Sequence, residues 1–165
     1  SRSVPETILA HGGRPYRTPV GHSLIKKIMR AEDAIFGGEH SGHYYFRDNW
    51  YADSGLIAML AVLTLLSKGE KPLSEIVRPI ENRYRSGEIN LKVADKPAAI
   101  ARVKSHFIEK GAAADEFDGL TLEFPDRWLN IRSSNTEPLL RVNVEGDTPE
   151  AMEAMRDEAL AVIGA

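Results

Sequence analysis

From residue 88 onward the chain alternates between apolar and polar positions. Ile89, Leu91 and Val93 are interleaved with Glu88, Asn90 and Lys92, and Leu120, Leu122 and Phe124 with Thr121 and Glu123. Leu129 and Ile131 stand between Trp128, Asn130 and Arg132, while Leu140, Val142 and Val144 stand between Arg141, Asn143 and Glu145. A period of two predicts strands with one dry face and one wet face, the habit of antiparallel sheets. The dry face needs a cover. Two segments carry apolar stripes at helical spacing, one with Ile100, Val103, Phe107 and Ile108, the other with Met152, Met155, Ala159, Val162 and Ile163. Thr148 and Pro149 supply an N-cap and a first-turn residue for the second. The order β-α-β-β-β-α predicts an α+β domain over residues 81–165, with a four-stranded antiparallel sheet and two helices.

Residues 1–80 have a different pattern. Val4–His11 reads as a helix, Arg14–Val20 as a strand, Ser23–Ala31 as a helix and Ala34–Phe36 as a strand ending at Gly37-Gly38. Asp53 is a candidate N-cap for Leu56–Leu66, which is apolar on every side and so reads as a helix buried on most of its surface, stopped by Gly69 and Pro72. A parallel sheet requires a strand before each crossover helix, yet nothing stands in front of Val4–His11. The expectation is an α/β fragment whose first strand precedes Ser1, joined to the second domain near Pro79–Asn82.

Composition narrows the field. The chain has 165 residues, 42% hydrophobic and 27% charged, which excludes a disordered or low-complexity protein and permits one or two domains. Its longest apolar run is far shorter than the ~20 residues of a membrane-spanning helix. There is no cysteine, which removes disulfides, thiolate nucleophiles and thiolate metal ligands. With a net charge of −3, its acidic excess in the second half, and Glu88, Glu123 and Glu145 on the presumed wet face, neither nucleic acid nor an anionic membrane is an expected partner. The cytoplasm is the expected compartment.

Three segments carry candidate chemistry. In Gly37–His43, Glu39, Ser41 and His43 alternate, so an extended loop projects a carboxylate, a hydroxyl and an imidazole to one side. The carboxylate can accept from two neighbouring sugar hydroxyls and the imidazole can donate or exchange a proton; a merely solvated hairpin loop explains the same residues. A metal at His40 and His43 lacks a third ligand at useful spacing. Gly21-His22-Ser23 enters a helix, where His22 could face a phosphate or sugar at the free N–H groups, or Ser23 could simply cap. Arg132-Ser133-Ser134-Asn135-Thr136-Glu137-Pro138 combines a guanidinium, three hydroxyls and an amide with a single carboxylate, a donor-rich set suited to a phosphate dianion, or else an ordinary β-connection.

Together these segments resemble the α-D-phosphohexomutases. Gly38-Glu39-His40-Ser41-Gly42-His43 is similar to their sugar-recognition loop, Arg132–Pro138 to their C-terminal phosphate-binding loop, and Gly21-His22-Ser23 to the segment before the sugar loop. The resemblance covers the later part of the third domain and all of the fourth. It implies a four-domain enzyme that interconverts hexose 1-phosphates and 6-phosphates through a phosphoserine, with Mg²⁺ at that serine and a glucose or mannose 1,6-bisphosphate intermediate. It further implies that Glu39 and Ser41 bind sugar hydroxyls, that His43 and His22 line the cleft as acid, base or phosphate contacts, and that Arg132, Ser134, Asn135 and Thr136 hold the phosphate that is not transferred.

No serine loop of the Thr-Ala-Ser-His-Asn-Pro kind and no Asp-Gly-Asp-x-Asp metal loop occurs in these residues. The chain is therefore expected to recognise a phosphosugar, to partner the N-terminal domains of its own parent chain, and to be inactive alone. Asn135 after Ser134 resembles phosphomannomutases and the dual phosphomannomutase/phosphoglucomutase enzymes, whereas phosphoglucosamine mutases carry Gly there; mannose and glucose phosphates are the expected substrates and glucosamine phosphate the alternative. A stand-alone phosphosugar-binding module and a purely structural domain are the readings from other classes.

Overall fold

A computed structural model describes residues 1–134 and 137–164. It divides into two compact units, one of residues 13–81, the other of residues 1–12 and 82–165.

In the unit of residues 13–81, helix α2 (His22–Ala31) packs on an antiparallel three-stranded sheet, β1 (Phe36–Gly38), β2 (Tyr44–Phe46) and β3 (Ala52–Asp53). Ile25 and Met29, one helical turn apart, are buried with Tyr45 of β2. Gly37 stands opposite Tyr45 across the β1–β2 pair, and a Cβ there would meet the Met29 sulfur at 2.8 Å, so the missing side chain is what lets α2 approach. Arg14–Val20, expected as a strand, is irregular, and the first-half sheet has no parallel pair among the described residues.

Helix α3 (Gly55–Ser67) is capped by Ser54, whose Oγ accepts from the Ile57 N–H at 3.2 Å. Asp53, the expected cap, lies in β3 instead, because its backbone is spent pairing with Tyr45. None of α3 is buried, and Leu56, Met59 and Leu63 are at least half exposed; the expectation of a mostly buried helix is corrected, since the short sheet has no surface to match an all-round apolar helix. A short helix α4 (Leu73–Val77) follows.

The second unit holds the expected alternating strands, in a sheet of five rather than four. β4 (Tyr84–Leu91), β5 (Ala113–Asp115), β6 (Leu120–Glu123), β7 (Arg127–Ser133) and β8 (Leu140–Gly146) lie in the order β4-β8-β7-β6-β5, all antiparallel. β5 went unread because Ala-Ala-Asp has poor strand propensity; pairing of Ala113 with Glu123 recruits it as a short edge. A bulge between Arg85 and Glu88, with Gly87 at φ +70°, brings the Ser86 hydroxyl to accept the Val144 N–H at 3.0 Å.

Helices α5 (Lys96–Glu109) and α6 (Pro149–Ile163), capped by Asp95 and Thr148, cover the dry face. Val103, Phe107, Leu122, Leu129, Ile131, Leu140, Val142, Met155 and Ala159 form its core. The opposite face is not fully wet. Helix α1 (Ser3–Ala10) is tied to it: the Arg2 N–H donates to Glu145 at 2.9 Å, the Arg2 guanidinium to the Phe124 and Pro125 carbonyls, and the Ser3 hydroxyl to Asn82 at 2.9 Å. Arg83 pairs with both Glu6 and Asp147. Glu145, expected on the wet face, is consequently only 2% exposed, and its carboxylate also accepts from the Trp128 indole at 3.0 Å.

Candidate functional site

The Glu39 loop and α2 enclose an open pocket of about 500 Å³ lined by Gly21, His22, Lys26, Glu39, Ser41, His43, Tyr45 and Asp53. Three local features build it. Gly21, at φ +132°, precedes α2 and places His22 at its first turn, and Lys26 follows one turn later on the same face. The β1–β2 connection is closed by the Glu39 N–H to the His43 carbonyl at 2.9 Å and the Gly42 N–H to the Glu39 carbonyl at 3.0 Å, with Gly42 at φ +85°. Tyr45 and Asp53, register partners on β2 and β3, share one face of the sheet.

The structure thus brings His22, Glu39, Ser41 and His43 together, as their spacing and motif suggested. It leaves His40 outside the lining set. Ser41 Oγ lies 2.9 Å from His43 Nδ1, so the ring is held through that nitrogen and Nε2 is left for a ligand. The Tyr45 hydroxyl donates to Glu39 Oε1. Burial chiefly, then the bond to Glu39 and the charges of Glu39 and Asp53, push the Tyr45 hydroxyl well above its ordinary value, so it stays a donor. The Lys26 ammonium sits 5.8 Å from the Tyr45 ring centre. Two carboxylates, an ammonium, two imidazoles and two hydroxyls around one hollow suit a ligand with many hydroxyl groups.

Lys26, Tyr45 and Asp53 were missed by the sequence reading. Tyr45 extends the Glu39, Ser41, His43 alternation by one step, which was the available signal; Lys26 follows His22 by one helical turn; Asp53 had no local signal apart from its charge.

The second donor-rich segment lies at the end of β7. Arg132 pairs across the sheet with Arg141 of β8, an unfavourable opposition of like charges unless something intervenes. Glu88 of β4 intervenes, 3.8 Å from Arg132 and 3.5 Å from Arg141, while Glu137 takes the other side of Arg141 at 2.9 Å. Arg141, read as a solvated face residue, is only 22% exposed and Arg132 only 16%. Beyond Arg132 the Ser134 N–H donates to the Leu139 carbonyl at 2.9 Å and its Oγ accepts from the Glu137 N–H at 3.2 Å. Asn135 and Thr136, the other candidate phosphate ligands, lie outside the described residues.

The family model for the phosphoglucomutase/phosphomannomutase alpha/beta/alpha domain III matches residues 1–84, and that for the C-terminal domain of the same proteins matches residues 88–162. The chain belongs to the phosphoglucomutase/phosphomannomutase family. It is 48% identical over 159 residues to a phosphomannomutase of Salmonella typhimurium LT2, covering 94% of this chain and 35% of that one, and 45% identical over 166 residues to a phosphomannomutase of Escherichia coli K12, covering 99% and 36%. A crystal structure of a phosphoglucomutase/phosphomannomutase family protein from Burkholderia thailandensis superimposes with a TM-score of 0.81 at 30% identity, over 99% of this chain and 36% of that one. The chain spans about a third of the length of these relatives and corresponds to their C-terminal part. In this phosphohexomutase chain both donor-rich segments fall within the matched domains, the pocket in domain III and the Arg132 loop in the C-terminal domain.

Proposed function

We propose that this chain supplies the sugar- and phosphate-recognition parts of a phosphohexomutase that interconverts hexose 1-phosphate and hexose 6-phosphate, with mannose and glucose phosphates as substrates, through a phosphoserine enzyme and a bisphosphate intermediate. The observation that carries the reading is the pocket in which Glu39, Ser41 and His43 converge with His22, Lys26 and Asp53. Glu39 accepts from sugar hydroxyls, Ser41 and His43 complete their hydrogen bonds, and His22 and Lys26 offer positive or donor groups at the start of α2. Arg132, with Ser134, Asn135 and Thr136, takes the phosphate by charge-assisted bonds. The phosphomannomutase relatives favour mannose phosphates; glucosamine phosphate is the alternative.

The residues present do not fit a Mg²⁺ site. Among the described residues no three His, Cys, Asp or Glu side chains are placed so that they could hold a metal ion together. Among the described residues no helix is long and apolar enough to cross a membrane. A cytoplasmic location, partnership with the N-terminal domains of the same parent chain, and absence of turnover by residues 1–165 alone belong to the same proposal.

The test is an NMR titration of the chain with mannose 1-phosphate, glucose 1-phosphate, glucosamine 1-phosphate and inorganic phosphate. Sugar phosphates are expected to shift Glu39, Ser41 and His43 as well as residues 132–136, and inorganic phosphate the latter alone. Silence at the Glu39 loop with every sugar phosphate overturns the recognition role.

A further inference from the structure

We infer that Tyr45 is a positioning residue for sugar recognition, acting by fixing the Glu39 carboxylate in one orientation. The inference rests on the reading of Glu39 as the acceptor of sugar hydroxyls and adds the device that makes it selective. Glu39 sits in a loop between two three-residue strands, and a carboxylate on such a loop has rotamer freedom that a ligand would have to quench. The contact with Tyr45 removes that freedom beforehand. Tyr45 is only 1% exposed, packed with Ile25 and Met29, so its ring is held by the core of the unit rather than by the loop it serves.

Its hydroxyl donates to Glu39 Oε1. A hydroxyl has one proton, and with that proton engaged the second oxygen of Glu39 and the remaining lone pair of Oε1 are what the pocket offers to a ligand. The acceptor directions of Glu39 therefore follow from the placement of a buried ring, and a sugar presenting hydroxyls along those directions is favoured over one that does not. Preorganisation of this kind raises discrimination between ligands more than the number of contacts would suggest. Lys26 over the ring and Asp53 opposite it complete the charged surroundings of the pair.

Tyr45→Phe keeps the ring and removes the hydroxyl. Mannose 1-phosphate and each of its monodeoxy analogues are titrated into the chain and into this variant. In the parent chain, loss of the hydroxyl that Glu39 reads is expected to weaken binding by about tenfold, the worth of a hydrogen bond to a charged group. In Tyr45→Phe that penalty is expected to shrink to about twofold, while the response of residues 132–134 to inorganic phosphate is unchanged.

A purely structural tyrosine would weaken all the sugars alike and leave the deoxy penalty intact, which overturns the inference. If no deoxy analogue is penalised in the parent chain, it is the reading of Glu39 itself that fails. A second measurement needs no variant at Tyr45. The ¹³Cζ resonance of Tyr45, which senses its hydroxyl hydrogen bond, is expected to move in Glu39→Gln; a stationary resonance overturns the inference whether or not Tyr45→Phe folds.

Discussion

Gly119 lies against the backbone of Arg132: a Cβ at Gly119 would come within 2.5 Å of the Arg132 Cβ and 2.7 Å of the Ile131 carbonyl oxygen. Gly119 also holds φ +70°, a conformation that side chains resist. The absence of a side chain at 119 thus fixes where β7 carries its guanidinium.

Gly119→Ala is accordingly expected to destabilise the C-terminal unit by roughly 2 kcal/mol, strain and overpacking acting together. It is also expected to lower affinity for inorganic phosphate, because Arg132 must move. Thermal denaturation and calorimetric titration read the two effects; a variant with unchanged melting and unchanged affinity contradicts the relationship.

Glu88 is shared between Arg132 and Arg141, so a phosphate entering the loop competes with a resident carboxylate. Glu88→Gln is expected to tighten phosphate binding by roughly threefold, the scale of a partly exposed ion pair, and to lower the melting temperature because two guanidiniums are left opposed. Weaker phosphate binding would mean that Glu88 serves chiefly to hold the arginines in place.

Acid is expected to weaken the same unit through two carboxylates. Burial alone would raise Glu145, but hydrogen bonds from the Ser1 hydroxyl, the Arg2 N–H and the Trp128 indole outweigh it and hold its folded value below the ordinary one. Glu158 is also lowered, first by the Lys110 hydrogen bond, with burial opposing and His106 helping. A depressed carboxyl contributes stability that is present above its unfolded value and is lost as pH falls through the folded value. Trp128 reports directly on Glu145, whereas Trp50 is 83% exposed. Acid unfolding followed by fluorescence should therefore show the loss below about pH 4.5, and Glu145→Gln should flatten it.

Ser54 rather than Asp53 caps α3. Ser54→Ala is expected to cost about 1 kcal/mol of helix stability, seen as faster amide exchange at Ile57 and its neighbours. Asp53→Asn should leave that exchange unchanged; if it is the aspartate variant that frays the helix, the assignment of the cap is wrong.

How far the sequence could be read depended on how local each determinant was. The alternating strands and their two covering helices were legible because residues 120–124, 128–132 and 140–145 each keep a period of two and the helices carry clean stripes. Glu39, Ser41 and His43 were legible from their spacing and motif, although the connection that carries them is a tight turn closed by the Gly42 N–H to the Glu39 carbonyl rather than the extended loop expected. Asp53 was not, because only the pairing of β3 with β2 brings it beside Tyr45. Neither was the buried state of Glu145, since the helix that ties down over it comes from the other end of the chain. β5 escaped because alanine has no preference for the sheet edge that tertiary pairing imposed on it. Arg141 looked like a solvated strand residue until Glu88, brought in by β4, gave it a partner.

The tie between α1 and the sheet also sets an order of events during synthesis. Arg2 and its partner Glu145 are separated by 143 positions, and the residues of the other unit are made in between. On the ribosome α1 emerges before the sheet it is tied to, while residues 13–81 have time to settle. Its site exists only once β8 has emerged and joined β4 and β7. Closing so long a loop is slow compared with forming a hairpin, so docking of α1 falls among the last steps of assembly, when the polar face of the sheet is already complete.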